Sequence, residues 1–200
     1  MGFDNHLYTI SFGPTTASRF HTQKMPLTNI EPKRFDSLAR EATSYVFDFM
    51  VDEEVIFDRE SLLVGNSGRD EDLFLSLINM EEGYFSIAVG YVGDAEGQII
   101  LTLTRSLAER FTLKLLDAKD LNWIGEDPRE TILDVMGELG NSYVGLVKGA
   151  LTKNFPNLML TTPTVQSSSR IAIDEGELNF RKQYLFRSMG FPLLVDICHK

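Results

Sequence analysis

Cysteine is almost absent from this sequence, since Cys198 is the only one among 200 residues. A single cysteine excludes a disulfide within the chain. Histidine is nearly as scarce, and His6, His21 and His199 are scattered towards the two ends without the spacing of metal ligands. We therefore expect no metal or cofactor held by this chain alone. The neighbouring Cys198 and His199 are not interpreted as a catalytic pair.

Long apolar runs are also missing, because no stretch approaches the roughly 18 residues that would span a membrane. The first residues lack a basic region followed by an apolar stretch, so we expect a cytoplasmic protein without membrane insertion. Basic residues are outnumbered, with 19 Lys and Arg against 29 Asp and Glu, for a net charge of −10. This balance argues against binding nucleic acid or anionic membranes through bulk electrostatics.

Two helices are predicted before residue 120. A helix is predicted from Pro32 to Val51, because apolar residues recur there at intervals of three and four and should form one buried face. These residues are Phe35, Leu38, Ala39, Ala42, Tyr45, Val46 and Phe49. A shorter helix is predicted around Phe111–Leu116, with Ser106 and Glu109 as its capping box.

The longest helix is predicted to run from about Pro128 to Lys153. Asp127 is its expected N-cap, Pro128 occupies the first turn and Glu130 closes a capping box. Asn154 and Pro156 should end it.

Seven strand-like segments lie elsewhere in residues 31–200. They are Glu54–Phe57, Leu62–Val64, Tyr84–Val92, Gln98–Thr104, Leu158–Val165, Leu178–Phe186 and Phe191–Cys198. Tyr84–Val92 and Gln98–Thr104 are separated by a hairpin-length loop. The order of helix, strands, helix and strands predicts an α+β fold with two long helices packed on an antiparallel sheet. We expect residues 1–30 to be an N-terminal extension and residues 31–200 to form a single domain.

A helical wheel of the longest helix separates an apolar sector from a polar face. The sector expected to meet the core holds Ile132, Val135, Met136, Leu139, Tyr143, Leu146, Val147 and Ala150. A narrower stripe of Leu133, Val144 and Leu151 is expected to meet another helix or a second subunit. The polar face carries Asp134, Glu138, Asn141, Lys148 and Thr152. An ordinary solvated surface would explain such a face by itself.

Four glycines inside this helix favour a contact surface over an ordinary solvated one. Each costs roughly 0.5–1 kcal/mol relative to alanine in a helix interior. Gly137 and Gly145 lie on or near the polar face, where a missing side chain lets another backbone approach closely. Gly149 better suits tight packing of the helix on the sheet. Gly140 is the remaining glycine of this helix.

Glu138 and Asn141 are three residues apart and therefore neighbours on the helix surface. A carboxylate pairs with a lysine, while a carboxamide both donates and accepts hydrogen bonds and can orient a water molecule. The pair has no nucleophile and no metal of its own. It suits a reaction whose electrophile and metal are brought by a partner.

Several of these residues together resemble the CheX/CheC/FliY chemotaxis phosphatases. The family motif is Glu-x-x-Asn on a long helix with a glycine four residues after the asparagine, which matches Glu138, Asn141 and Gly145. A Pro-Thr-Val segment typically follows that helix, and here it occurs within Thr161–Val165. The hairpin Val89–Gln98 also resembles the CheX pattern. The resemblance covers roughly residues 35–200.

The resemblance implies hydrolysis of the aspartyl phosphate on a CheY-type response regulator. Asn141 would hold the attacking water in line with the phosphoryl group, and Glu138 would pair with the regulator's own lysine. A role of Glu138 as general base is the less favoured alternative. The Mg²⁺ would belong to the regulator. Further partner-binding residues are expected at Asp134, Gly137, Gly145 and Lys148.

The first helix carries only a degenerate copy of the motif, with Glu41 and Ser44 at the corresponding spacing. The resemblance thus implies one active helix, as in CheX, and a homodimer. Two other interpretations remain open at this point. One is a weakly active or non-catalytic regulatory module that binds a chemotaxis signalling partner, and the other is a structural component of the flagellar switch.

Overall fold

The computed structural model describes residues 32–64, 83–120, 127–152, 155–168 and 178–200. The predicted extension at residues 1–30 lies outside the described residues. Within these ranges the structure has three helices: α1 (Arg34–Val51), α2 (Arg105–Leu115) and α3 (Pro128–Leu151). The same ranges contain seven strands: β1 (Val55–Val64), β2 (Tyr84–Val92), β3 (Gly97–Thr104), β4 (Met159–Leu160), β5 (Thr164–Ser168), β6 (Phe180–Ser188) and β7 (Phe191–His199).

The seven strands form one sheet in the order β1-β6-β7-β3-β2-β4, with β5 also paired to β2. Every pairing between them is antiparallel. The predicted hairpin is confirmed, since β2 and β3 pair from Tyr84 opposite Thr104 to Tyr91 opposite Gly97. The α+β fold with two long helices on an antiparallel sheet is therefore confirmed, and α2 adds a third, shorter helix.

The main core lies between the helices and one face of the sheet. From α1 it receives five of the seven predicted residues, and from α3 it receives Ile132, Met136, Leu139, Tyr143 and Val147. Val135, Leu146 and Ala150 pack against its border. None of the described helices is long and apolar enough to cross a membrane.

Tyr45 and Phe49 of α1 were predicted to be core residues, but both are exposed to solvent in the structure. Their exposed fractions are 55% and 75%. They lie four residues apart and stack on each other, with ring centroids 5.8 Å apart. The prediction was wrong because the apolar stripe of α1 is wider than the surface that the sheet and α3 cover.

A polar cluster fixes α1 on strand β6. Asp36 in the first turn of α1 accepts hydrogen bonds from the Lys182 ammonium and from the Tyr184 hydroxyl, the latter at 2.7 Å. Burial acts to raise the pKa of Asp36, but the hydrogen bonds from Lys182 and Tyr184 outweigh it and hold that pKa below its usual value. The ionised carboxylate therefore links helix and sheet at neutral pH.

Three predicted boundaries needed correction. The N-cap of α2 is Thr104 and not Ser106, because Thr104 Oγ1 accepts from the Leu107 N–H. The two strand pieces predicted around Phe57 and Leu63 are one strand, β1, with a register shift at Asp58. The polar residues in the middle of β1 made it look like two separate strands in the sequence. One of them, Asp58, is ion-paired with Arg187 on β6.

The third correction concerns the strand predicted from Leu158 to Val165. It is divided into β4 and β5, both paired with β2. Thr161 still bonds to Gly90 at both its amide and its hydroxyl, at 2.9 and 2.8 Å. Pro163 has no N–H to offer a ladder, which explains the interruption.

Candidate active site

Helix α3 carries the candidate site, and its predicted N-cap and first-turn proline are confirmed. Asp127 is its N-cap, and the carboxylate accepts a hydrogen bond of 3.0 Å from the Arg129 N–H. Pro128 is the first helical residue, where its missing N–H costs nothing. The helix ends at Leu151 with Thr152 as its C-cap, whose backbone N–H bonds to the Lys148 carbonyl. The full polar face is therefore presented on one regular helix.

Glycine in the middle of α3 brings the helix directly onto the sheet. A Cβ on Gly140 would lie 2.7 Å from Ile87 Cγ2 of β2 and 3.3 Å from Pro163 Cβ. Both distances are shorter than ordinary carbon contacts, so only glycine permits this approach. Gly140 thus sets the position and rotation of α3 next to Asn141. The Pro163 of the family-like segment acts here as a packing residue.

Tyr143 anchors the following turn from the core side. It is buried, and burial raises the pKa of its hydroxyl to about 12. Its phenol therefore stays protonated at neutral pH. The role of Tyr143 is to hold the back of α3 while the opposite face remains exposed.

The predicted polar face is exposed where the helical wheel places it. The side chains of Asp134, Glu138, Asn141 and Lys148 all face solvent, whereas Thr152 is partly buried. Asp134, Gly137, Glu138 and Asn141 line a single open groove. Gly145 and Lys148 are exposed further along the helix and are not among its lining residues. The structure therefore brings four of the six predicted site residues together.

The other three glycines of α3 have free space around them, unlike Gly140. A Cβ added to Gly137, Gly145 or Gly149 would meet nothing within 4 Å. For Gly137 and Gly145 this agrees with the expected free surface beside the Glu-x-x-Asn pair. For Gly149 the prediction of tight helix–sheet packing was wrong, because the residue is exposed. The glycine that packs on the sheet is Gly140, whose neighbours Ile87 and Pro163 are distant in sequence.

The apolar wall of the groove was not predicted from the sequence as part of the site. It consists of Met50 from α1, Leu115 and Leu116 from the end of α2, and Leu133 and Val135 from α3. A signal was present, because Leu133 belongs to the second stripe that was expected to meet another helix. Leu133 lines the groove together with Leu115 and Leu116, and Leu116 is 47% exposed.

Helix α1 has a glutamate and a serine at the three-residue spacing of Glu138 and Asn141, but it lacks the asparagine. Glu41 and Ser44 are both exposed on α1, and the stacked Tyr45 and Phe49 lie beside them. A serine hydroxyl has one donor and lacks the planar carboxamide that presents donor and acceptor together. We find on α1 no second copy of the Glu138–Asn141 pair.

Cys198 and His199 are both buried near the end of β7. The Cys198 thiol points to Asp196 Oδ1 at 3.6 Å, while His199 Nδ1 lies 3.4 Å from the Tyr91 hydroxyl. Burial lowers the pKa of His199, so its ring is neutral. Both residues belong to the packed structure, and within the described ranges no group of His, Cys, Asp and Glu has the arrangement of a metal site.

Residues 85–181 match the family model described as chemotaxis phosphatase CheX. This segment starts in β2, includes all of α3 and ends at the beginning of β6. Over this segment the chain is similar to CheX of the CheX/CheC/FliY family. No curated protein sequence matches this CheX-like chain.

Solved structures confirm the fold of this CheX-like chain. A CheC-like superfamily protein from Shewanella sp. PV-4 aligns with a TM-score of 0.64 at 20% identity, covering 86% of this chain and 99% of that one. The chemotaxis protein CheX from Vibrio vulnificus gives a TM-score of 0.63 at 20% identity, with 83% and 99% covered. A CheX–CheY–BeF3–Mg²⁺ complex from Borrelia burgdorferi gives 0.60 at 18% identity, with 82% and 96% covered.

Proposed function

We propose that this chain hydrolyses the aspartyl phosphate of a phosphorylated CheY-type response regulator. The observation that carries the proposal is the exposed Glu138–Asn141 pair, which lies on α3 within the segment that matches the CheX family. Both side chains line one open groove, so a receiver domain can reach them together. The reaction places this protein in chemotaxis or related two-component signalling.

The proposed chemistry is an in-line displacement at phosphorus. A water oxygen forms the new bond to phosphorus while the bond to the receiver's aspartate oxygen breaks, which yields inorganic phosphate and the free carboxylate. The Asn141 carboxamide accepts a hydrogen bond from that water and orients its lone pair towards phosphorus. Such a reaction needs positioning and charge stabilisation more than covalent help from the protein. One fixed amide is enough for this task.

Glu138 is proposed to pair with the receiver's lysine and so to fix the register of docking. Because Asn141 lies three residues further on the same surface, that register also determines where the amide meets the phosphoryl group. The Mg²⁺ is proposed to come with the receiver. The Borrelia structure, in which CheX occurs with CheY, BeF3 and Mg²⁺, supports this division of labour.

Additional partner contacts are proposed along the same helix, at Asp134, Gly137, Gly145 and Lys148. Asp134 and Gly137 lie beside the pair in the groove, and Lys148 extends the exposed face by about two turns. We further propose that residues 31–200 act as one domain and that the protein works in the cytoplasm, where its receiver substrate would be phosphorylated.

The decisive assay is the decay of a purified phosphorylated receiver, followed with Mg²⁺ present and with catalytic amounts of the chain. Wild-type protein should accelerate the decay of at least one receiver from the same organism over many turnovers. A non-catalytic regulatory module would bind the phosphorylated receiver and leave its decay unchanged. Unchanged decay of every candidate receiver would therefore remove the phosphatase proposal.

Alanine at Gly137 is expected to stabilise the protein and impair its function. The new Cβ meets nothing in the free chain, so the helix gains roughly 0.5–1 kcal/mol in its free energy of unfolding. In the docked complex the methyl group would hold the receiver's backbone away, and we expect KM to rise about tenfold. Urea unfolding and the receiver-decay assay measure the two effects.

Two other glycines of α3 provide matched controls for this variant. Gly149→Ala should give the same gain in stability with KM unchanged, because it is equally open and lies three turns beyond Gly137. Gly140→Ala should instead lower the stability by about 1–2 kcal/mol, since its Cβ collides with Ile87. Equal KM values for Gly137→Ala and Gly149→Ala would show that Gly137 is not a contact residue.

A homodimer is also part of the proposal, and strand β1 offers a surface for it. β1 stands at one end of the strand order and carries the exposed Ile56 and Leu62, at 59% and 44%. An edge strand has backbone donors and acceptors free to pair with another chain, and a second copy placed there would also cover Ile56 and Leu62. Sedimentation should give twice the chain mass of 22.6 kDa, and Ile56→Lys should shift it towards one mass. A wild-type monomer at micromolar concentration would contradict this.

A further inference from the structure

The groove beside Glu138 and Asn141 is larger than the catalytic pair needs. Its volume is about 620 Å³, and it lies where the C-terminal ends of α1 and α2 meet the side of α3. Asp134, Gly137, Glu138 and Asn141 form its polar side. Its other side is the apolar wall already described, made of Met50, Leu115, Leu116, Leu133 and Val135. Positioning one water at Asn141 does not require an apolar wall of this size.

Leu116 is the most exposed residue of that wall for which the structure gives a value, and its backbone is firmly held. The N–H of Ala118 bonds to the Leu113 carbonyl and the N–H of Asp117 bonds to the Lys114 carbonyl, at 2.9 and 3.2 Å. Asp117 has a φ of 50°, so the turn is a Schellman motif with a non-glycine residue in the left-handed position. Leu116 is thus a leucine presented to solvent by an ordered helix end.

The walls of the groove are also tied to each other. Lys114 near the end of α2 donates a hydrogen bond of 2.8 Å to the Asp52 carbonyl at the end of α1, and it pairs with the Glu53 carboxylate. Asp52 is the C-cap of α1, next but one to Met50. The α1 and α2 sides of the groove are therefore held together in the free chain, which lowers the entropy lost when a partner fills it.

We propose that this groove receives an apolar side chain of the same receiver domain whose phosphoryl group meets Asn141. This inference rests on the proposed function. Glu138 and Asn141 themselves line the groove, so a receiver that brings its phosphoryl group within hydrogen-bond reach of Asn141 must cover the opening. A partner that covers an apolar opening gains affinity by filling it, as a side chain does in an interface pocket.

Charge on the rim further defines the occupant. Asp134 and Glu138 place two carboxylates along the polar side of the groove. The complementary receiver surface is an apolar side chain flanked by cationic groups, one of which is the lysine already assigned to Glu138. Receivers with an acidic or small residue at the apolar position would dock poorly. The groove thereby selects among the receivers of one cell.

The test compares the variant Leu116→Ser, which changes the groove, with the control variant Val92→Ser. Val92 lies elsewhere on the surface and is exposed to a similar extent. Val92 is 41% exposed on β2 and does not line the groove. Steady-state decay of the cognate phosphorylated receiver is measured for the full chain and both variants. For Leu116→Ser we expect KM to rise about tenfold with kcat within about twofold, since the lost contact is present before and during the reaction. Val92→Ser should match wild type.

Leu116→Asn, which keeps the length and branching of the side chain and replaces its two methyl groups by an amide, provides a second measurement if Leu116→Ser is poorly folded. It should show the same rise in KM. An unchanged KM in folded Leu116 variants would overturn the groove inference while the proposed function stands. A lower kcat at unchanged KM, or equal effects of Val92→Ser, would also overturn it. If wild-type protein accelerates no receiver, the proposed function itself fails.

Discussion

Replacing Asn141 with alanine is expected to lower kcat at least about a hundredfold, while KM changes less than about threefold. The carboxamide is the group assigned to the attacking water, and a water that is misplaced by about 1 Å costs a reaction on the order of a hundredfold. Its contribution to docking is small, because Glu138 and the groove residues remain. The kinetics would thus locate the role of Asn141 in the transition state.

The stability of the Asn141→Ala variant makes this result easy to interpret. Asn141 is exposed in the middle of α3, where alanine is the better helix former by up to about 0.7 kcal/mol. Loss of turnover should therefore accompany an equal or slightly higher resistance to urea. Ser142→Ala, at the next exposed position, is the matched control and should keep wild-type kinetics. Full turnover by Asn141→Ala would show that another group orients the water.

Reversing the charge of Glu138 is expected to raise KM about a hundredfold. In the proposed complex this carboxylate faces the receiver's lysine, so a lysine at this position replaces an attraction by a repulsion between like charges. The Glu138→Gln variant, which only removes the attraction, should lie between wild type and Glu138→Lys. The penalty should shrink as salt is raised, because screening weakens the repulsion.

Glu41→Lys is the control for this charge reversal. Glu41 is an exposed glutamate inside α1, and its replacement changes the net charge by the same amount. Both variants therefore alter the long-range attraction of a charged partner to a similar extent. Only Glu138→Lys should show the large rise in KM. Similar KM values for the two variants would mean that overall charge, and not a pair at Glu138, determines binding.

Local signals in the sequence were sufficient for most of the fold. The start of α3 was predicted from Asp127 and Pro128, because capping and the tolerance for proline depend on adjacent residues only. The hairpin of β2 and β3 followed from two β-rich segments with a short loop. The exposed Glu138 and Asn141 followed from helical periodicity, and their proposed roles followed from the family resemblance.

The misassigned residues are those whose environment depends on distant parts of the chain. Tyr45 and Phe49 satisfy the spacing of a buried face, but nothing local tells how wide a surface the sheet and α3 will cover. Gly140 and Gly149 look alike in sequence, and only the approach of Ile87 and Pro163 distinguishes them. The apolar wall of the groove was missed for the same reason, since Leu116 and Leu133 meet only after α2 packs on α3.

The most direct test of the central claim is the decay of the phosphorylated cognate receiver with the double variant Glu138→Ala and Asn141→Ala. Urea unfolding verifies that the variant is folded, and Mg²⁺ is supplied in excess. We predict that the receiver then loses its phosphoryl group at its own intrinsic rate, even when the variant is present in excess over the receiver. Acceleration equal to that of the wild-type protein would contradict the account, because the working surface would then lie elsewhere than on α3.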